Sequence, residues 1–414
     1  MTSADRRWPA WLRWDRQTRW ERRLKLQRLI SVGRAVLNGQ ITYYPSFVDA
    51  FERRFAAFVG CKYGVSFCNG TSALEGALFA LHVQAGDDVL VPAHTFHATI
   101  TPILNAGARP IFLDIDPATQ TLAPDEISRK VTPATKCVIV VHLFGNPAHM
   151  RRIVELARRH RLSIIEDCSH AHGASFEGRR VGSFGDLGCF SMQGDKTVAA
   201  GEGGVAVTNR HDLVERLSLF GHYGRRFRPA GSIDDDLWET GVGHKRRAHP
   251  LGICIAAVDL EHLDRRNAAR RDVARGLARV LQRVGGFSRL ESYPGAECGG
   301  FYPGLAVVLD EIAAKTCSIE SIVDRLRQNG IAASGYLYRP YHKMPHMVDP
   351  AYRRALLSGC SPAPDRSRVV LPSLPLTDSV QARTFFLPLP EFADKRYYKG
   401  VEDALRALTQ GSRT

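Results

Sequence analysis

KCVIVVHLF (residues 136–144), MRRIVELARRHR (150–161) and LSIIEDC (162–168) decide the fold. The first and third are short, apolar runs rich in β-branched residues. The second reads as a helix between them. Strands this apolar, separated by helices, predict a mainly parallel sheet covered on both faces, an α/β architecture. The alternation extends outward over residues 46–210. Upstream stand a helix at 46–59, a short β-rich run at 63–68, a strong helix at 71–83, the strand DDVLVPA (87–93), a helix at 97–107, the strand RPIFLDI (109–115) and a helix start at 123–131. Downstream follow two short strands, GCFSM (188–192) and GGVAVT (203–208). In such sheets ligands sit at the carboxyl ends of strands, so chemistry is sought just after each one.

Beyond residue 210 the pattern changes. Residues 249–284 read as one nearly unbroken helical stretch joining the large domain to a second one. FYPGLAVVLD (301–310) reads as a strand, SIESIVDRLRQNG (318–330) as a helix ending at glycine, IAASGYL (331–337) as another strand and VEDALRALTQ (401–410) as a terminal helix. Residues 342–395 are proline-rich and irregular. At 414 residues, the chain exceeds the roughly 250–300 at which a single core stops growing, so two domains are expected. The division is an N-terminal arm at 1–35, a large domain at 36–270 and a small α+β domain at 271–414.

The formal net charge is +14, from 56 Lys and Arg against 42 Asp and Glu. A basic chain favours anionic partners such as phosphates, nucleotides or carboxylates. No motif of a nucleic-acid-binding module accompanies the charge, so nucleic acid is not expected as a partner. The nine cysteines include no CxxC pair, and several stand inside apolar runs, which points to buried free thiols rather than disulfides or a metal site. No apolar stretch reaches the roughly 18–20 residues of a membrane span. The Arg- and Trp-rich start lacks the apolar core of a secretory signal, so a cytoplasmic location is expected.

Four clusters follow strands. Asn69-Gly70-Thr71-Ser72 opens a helix, where unpaired amides and the helix dipole suit a phosphate; a simple helix cap reads equally from it. Glu166-Asp167-Cys168-Ser169-His170 follows LSII, placing a carboxylate either for ligand work or as a cap. Ser191-Met192-Gln193-Gly194-Asp195-Lys196 precedes a glycine-rich turn, and its small and apolar flanks can desolvate the lysine, which makes an amine more nucleophilic. Phe96, in AHTFHAT after VLVPA, can stack on a planar ligand or simply pack in the core.

Their order resembles the DegT/StrS family of pyridoxal-phosphate (PLP) sugar aminotransferases. The matching stretches include FVDAFERRFAAFVG (47–60), NGTSALEGALFAL (69–81), DDVLVPAHTFHAT (87–99), residues 164–191 and GDKTVAAGEGGVAVTN (194–209), with a weaker match over 243–264. The resemblance implies a type I aminotransferase fold and pyridoxal 5'-phosphate as cofactor. It implies Lys196 as the lysine that binds the cofactor covalently, with Asp167 pairing the pyridinium nitrogen. His170 stands where many members have glutamine, near the phenolic oxygen. Phe96 would stack on the ring, and Gly70, Thr71, Ser72 and Ser191 would hold the phosphate. Many members carry an asparagine donated across a homodimer near residues 243–247; here Lys245 and Arg247 occupy that neighbourhood. The family's reaction moves an amino group from glutamate or glutamine to a keto sugar, nucleotide-linked, or to a keto cyclitol. His222, Tyr223, Arg225 and Arg226 either form a solvated basic loop, the favoured reading, or line the acceptor pocket. The alternative is a PLP reaction other than transamination, such as elimination, dehydration or condensation; relatives that dehydrate sugars replace the lysine by histidine, and Lys196 argues against that.

Overall fold

The computed structural model describes residues 19–41, 46–222, 243–335, 338–344 and 373–410. Helix α1 (Arg19–Leu37) is followed by α2 (Ser46–Val59), β1 (Tyr63–Phe67), α3 (Gly70–Ala80), β2 (Asp88–Pro92), α4 (Thr101–Asn105), β3 (Arg109–Leu113), α5 (Glu126–Lys130), β4 (Thr135–Val141), α6 (Met150–His160) and β5 (Ser163–Asp167). Next come β6 (Ser175–Phe176), β7 (Arg179–Arg180), β8 (Leu187–Ser191), β9 (Gly204–Thr208) and α7 (His211–Gly221). Then follow α8 (Pro250–Glu261), α9 (Leu263–Val284), β10 (Phe287–Arg289), β11 (Ala296–Glu297), β12 (Leu305–Leu309), α10 (Glu311–Thr316), α11 (Ile319–Gln328), α12 (Pro375–Gln381), β13 (Thr384–Leu387) and α13 (Lys395–Gln410).

The main sheet has the order β1-β9-β8-β5-β4-β2-β3. Strand β9 runs antiparallel to both its neighbours, and the other pairs within β8–β3 are parallel. Its middle strands are buried on both faces: Val138, Ile139, Val140, Ile165 and Cys189 have no exposed surface. Apolar side chains from α3, α4 and α7 cover one face, and those of α2, α6 and α8 contribute to the cores on the other. The expected mainly parallel, doubly covered sheet is therefore observed. All eight described cysteines are free thiols. Among the described residues, no helix is long and apolar enough to cross a membrane.

A second core lies around an antiparallel sheet, β10-β12-β13, packed by α9, α11 and α13. Helix α9 serves both cores: Leu263 packs with the large one, and Val273 to Leu281 pack with the small one. Residue 270 thus falls inside a helix. The expected single helix over 249–284 is two, broken at His262, whose ring meets Trp20 edge-on at 4.9 Å. The strand expected at 331–337 is also absent over its described residues. Ser334 makes only an isolated bridge to Phe386, while Thr384–Leu387 forms the strand beside β12. Ala332, Ala333, Ser334 and Gly335 offer little side chain to a pleated surface, whereas Phe385, Phe386 and Leu387 bury theirs.

Candidate active site

The ends of β5 and β8, the start of α3 and the loop after β2 enclose a cavity of about 380 Å³. It is lined by Gly70, Thr71, Phe96, Asp167, His170, Ser191 and Lys196 among others. Seven residues selected from sequence thus meet in one place, though they span residues 70–196.

Asn69 caps α3 by accepting the Ser72 N–H at 2.8 Å. The amides of Gly70 and Thr71 belong to the helix's unpaired first turn and stand at the cavity wall. Gly70 is required there: a Cβ would come within 2.7 Å of the Ser191 Cβ, so only glycine lets α3 begin against β8. Ser72, by contrast, is buried and points elsewhere, its hydroxyl 3.3 Å from Cys68 Sγ and accepting from Arg246 at 3.2 Å.

Asp167 ends β5. One carboxyl oxygen accepts from the Thr99 hydroxyl at 2.8 Å and the other from the Ser169 N–H at 3.1 Å; Thr95 in turn meets Thr99 at 2.7 Å. Its neighbour Glu166 faces the opposite side and accepts the N–H groups of Gly182, Phe184 and Gly185 at 2.7–2.8 Å. His142 Nδ1 accepts from Ala148 N–H, so Nε2 carries the proton and donates to Glu166 at 3.0 Å. Cys168 lies close enough for His142, Glu166 and Cys168 to resemble a metal triad. The Glu166 oxygens and His142 Nδ1 already accept backbone N–H groups, which makes it a structural knot that pins the loop 182–185.

His170 is buried, and its Nδ1 accepts the Phe144 N–H at 3.3 Å. The neutral ring therefore carries its proton on Nε2, which is 3.3 Å from the Tyr338 hydroxyl at the cavity. Burial, then the nearby Lys196, hold this imidazole far below its ordinary pKa, so it stays neutral. Phe96 stands at the rim, 41% exposed, with its ring 5.3 Å from that of Tyr338.

Lys196 lies in the link between β8 and β9. Its Nζ sits 3.3 Å from the centre of the Tyr302 ring. Burial pushes the amine down to about 7, against the opposing pull of Asp167 and Asp195. Tyr302 arrives on a turn pressed against the His170 backbone: a Cβ at Gly300 would meet the His170 carbonyl oxygen at 2.3 Å. Gln193 and Glu202, from the stretch around Lys196, also line the cavity, as do Tyr302, Tyr338, Thr95 and Thr99, which were not singled out from sequence. Thr95 and Thr99 flank Phe96 four residues apart, a signal that was available; the two tyrosines come from distant segments with none.

Besides Ser72, the expected Lys245, Arg247 and His222 stand outside the cavity. Lys245 is exposed and bridges His222 through the main chain, and half-buried Arg247 bridges Phe67. These β-bridges hold the segment along the outer edge of β1, and neither residue lines the pocket. The cation that reaches α3 from this segment is Arg246, paired with Glu75 and Ser72. His222 is fully buried edge-on to Phe67, not in the cavity, because it ends α7 inside the sheet's core. Tyr223, Arg225 and Arg226 lie outside the described residues.

The donor set fits pyridoxal 5'-phosphate: an enclosed amine, a carboxyl group, an imidazole N–H, an aromatic rim, and a helix start beside Ser191 for a phosphate. Fold and site together define a type I PLP-dependent aminotransferase. The chain belongs to the DegT/DnrJ/EryC1/StrS aminotransferase family, whose pattern matches residues 25–386. It is 36% identical over 348 residues to L-glutamine:2-deoxy-scyllo-inosose aminotransferase of Streptomyces kanamyceticus, covering 82% of this chain and 80% of that protein. It is 37% identical to GDP-perosamine synthase of Escherichia coli O157:H7, over 55% of this chain and 61% of that one. Among solved structures, DesV of S. venezuelae, in complex with a ketimine intermediate, superimposes with a TM-score of 0.78 at 27% identity, covering 94% of this chain and 95% of that one.

Proposed function

We propose that this aminotransferase moves an amino group from glutamine or glutamate to the carbonyl of a keto cyclitol or keto sugar, in amino-sugar or antibiotic biosynthesis. The observation that carries the reading is the amine of Lys196, desolvated to about 7 inside a cavity that also holds Asp167. The cofactor, when bound, supplies an electron sink for the carbon bearing the amino group. Lys196 would take the proton from the donor's amino-bearing carbon in one half of the exchange and give one to the acceptor's former carbonyl carbon in the other, both halves using one site. Asp167, fixed by Thr99 and Ser169, would hold the proton on the ring nitrogen. His170 would donate from Nε2, and Gly70, Thr71 and Ser191 would receive the phosphate, with Tyr302 and Tyr338 lining the same cavity. Ser72 supports the cradle from behind through its hydroxyl contacts.

The inosose aminotransferase, matched over four-fifths of this chain, supports a cyclitol acceptor with glutamine as donor; perosamine synthase, matched over a shorter span, supports the sugar. We further propose a cytoplasmic homodimer in which Lys245 or Arg247 reaches the partner's phosphate site. Support comes from the exposure of Lys245 and from an apolar stripe on α1 formed by Leu26, Leu29, Ile30, Val36 and Leu37.

The test is absorbance of the PLP-loaded protein on adding glutamine, then scyllo-inosose, beside Lys196→Ala. The expected result is a donor-driven spectral change reversed by the acceptor, with Lys196→Ala inert. A wild type that does not respond to amino donors, or a Lys196→Ala variant that still turns over, overturns the assignment.

A further inference from the structure

The residues that follow Lys196 are tied to a cluster of buried ions. Arg266 donates to the Thr197 carbonyl at 2.5 Å, and Arg270 donates to the Thr197 hydroxyl at 2.6 Å. That hydroxyl donates onward to the Gly300 carbonyl at 2.6 Å, beside the turn that carries Tyr302. The Ala199 N–H donates to Asp259 at 3.0 Å. Asp259 is fully buried and pairs with Arg28 of α1 at 2.5 Å and with Arg266 at 3.5 Å. Glu391, beyond β13, takes Arg266 at 2.5 Å and Arg270 at 3.8 Å.

Three guanidinium groups and two carboxylates are thus packed where apolar side chains would fill the space at lower desolvation cost. Burial, then the neighbouring Arg266, push Arg270 down to about 10 against the opposing pull of Glu391 and Asp259. Apolar packing could join α1, α9 and the C-terminal segment as well as these ions do. It could not direct hydrogen bonds onto one carbonyl, one hydroxyl and one amide. Those three groups belong to residues 197 and 199, immediately after the lysine.

We infer that Arg266, Arg270, Asp259 and Glu391 are positioning residues for Lys196, acting through Thr197 and Ala199. The inference rests on the role assigned to Lys196 above. A lysine side chain has four rotatable bonds, so its reach is set by where its backbone is held. The clamp fixes that backbone and, through Gly300, fixes it relative to the Tyr302 ring.

The test compares Thr197→Val, which keeps shape and removes the hydroxyl, with Thr197→Ser, Arg270→Met and Lys196→Ala. Covalent capture of added PLP by each apoprotein is followed by absorbance, together with kcat, KM and melting temperature. The expected result is capture slowed about tenfold in Thr197→Val and Arg270→Met, with kcat down by a similar factor, KM within about twofold and Thr197→Ser close to wild type. Should Thr197→Val not fold, Arg270→Met beside Thr197→Ser decides. Capture and kcat within about twofold of wild type in the folded variants overturn the clamp. So does a loss that follows melting temperature alone and is not restored by serine. Covalent capture by Lys196→Ala overturns the lysine assignment and the clamp with it; an inert Lys196→Ala beside a neutral Thr197→Val overturns the clamp only.

Discussion

A buried imidazole can donate or accept at either nitrogen, and at His170 a backbone amide makes the choice. The Phe144 N–H occupies Nδ1, leaving Nε2 as a donor toward the cavity. Glutamine can present an N–H at the same place, so His170→Gln should hold the cofactor nearly as well as wild type. His170→Leu should weaken it about tenfold, the effect of about one lost hydrogen bond, as read by equilibrium titration of the apoprotein with PLP. At Lys196 the sign of the pH dependence follows from the direction of its shift. The amine is protonated below about 7 and neutral above, against 10.5 for an ordinary lysine. Covalent capture of PLP should therefore fall as pH drops through 7 and be flat between pH 8 and 9, as stopped-flow absorbance would measure. A rate still climbing tenfold per unit at pH 9 would mean an ordinary lysine. Lys196 and Asp167 were legible in the sequence because each stands just past an apolar strand. Ser72 was legible only as a type: its N-terminal position suited a phosphate, yet Arg246 and Cys68 draw its hydroxyl away.

Among the elements, the loop 182–185 depends on one side chain. Glu166 collects three backbone N–H groups and the His142 ring with no exposed surface. Glu166→Ala would strand those donors, costing about 3–5 kcal/mol in urea denaturation, with Glu166→Gln recovering part. The sheet was readable because its strands are apolar on both faces and its helices are long. The small domain was less so. The alanines of 331–335 looked like a strand by sequence position, and the strand in fact comes from Thr384–Leu387, hidden in a proline-rich stretch. The break at His262 was hidden too, because it follows no glycine or proline and depends on contacts from α1 far away in sequence.

For the whole molecule, the apolar stripe of α1 is left exposed among the described residues of a single chain. Leu29 is 67% exposed and Leu37 87%. If the stripe lies in a symmetric interface, each substitution acts twice. Leu29→Glu combined with Leu37→Glu should then raise the dimer dissociation constant at least about a hundredfold, shifting sedimentation velocity toward the monomer. A variant that sediments as wild type would place the interface elsewhere.

One strand of the main sheet runs against the rest. Residues 204–208 slot between residues 63–67 and 187–191. The pairing with β1 closes a loop across most of the large domain, so its entropy must be met before the contact forms. That strand, together with the close approach of Gly70 to Ser191, sets the helix start relative to the segment that carries the lysine at 196. Cofactor binding is therefore coupled to completion of the sheet: PLP, held at both the lysine and the helix start, would favour the chain in which this strand is seated.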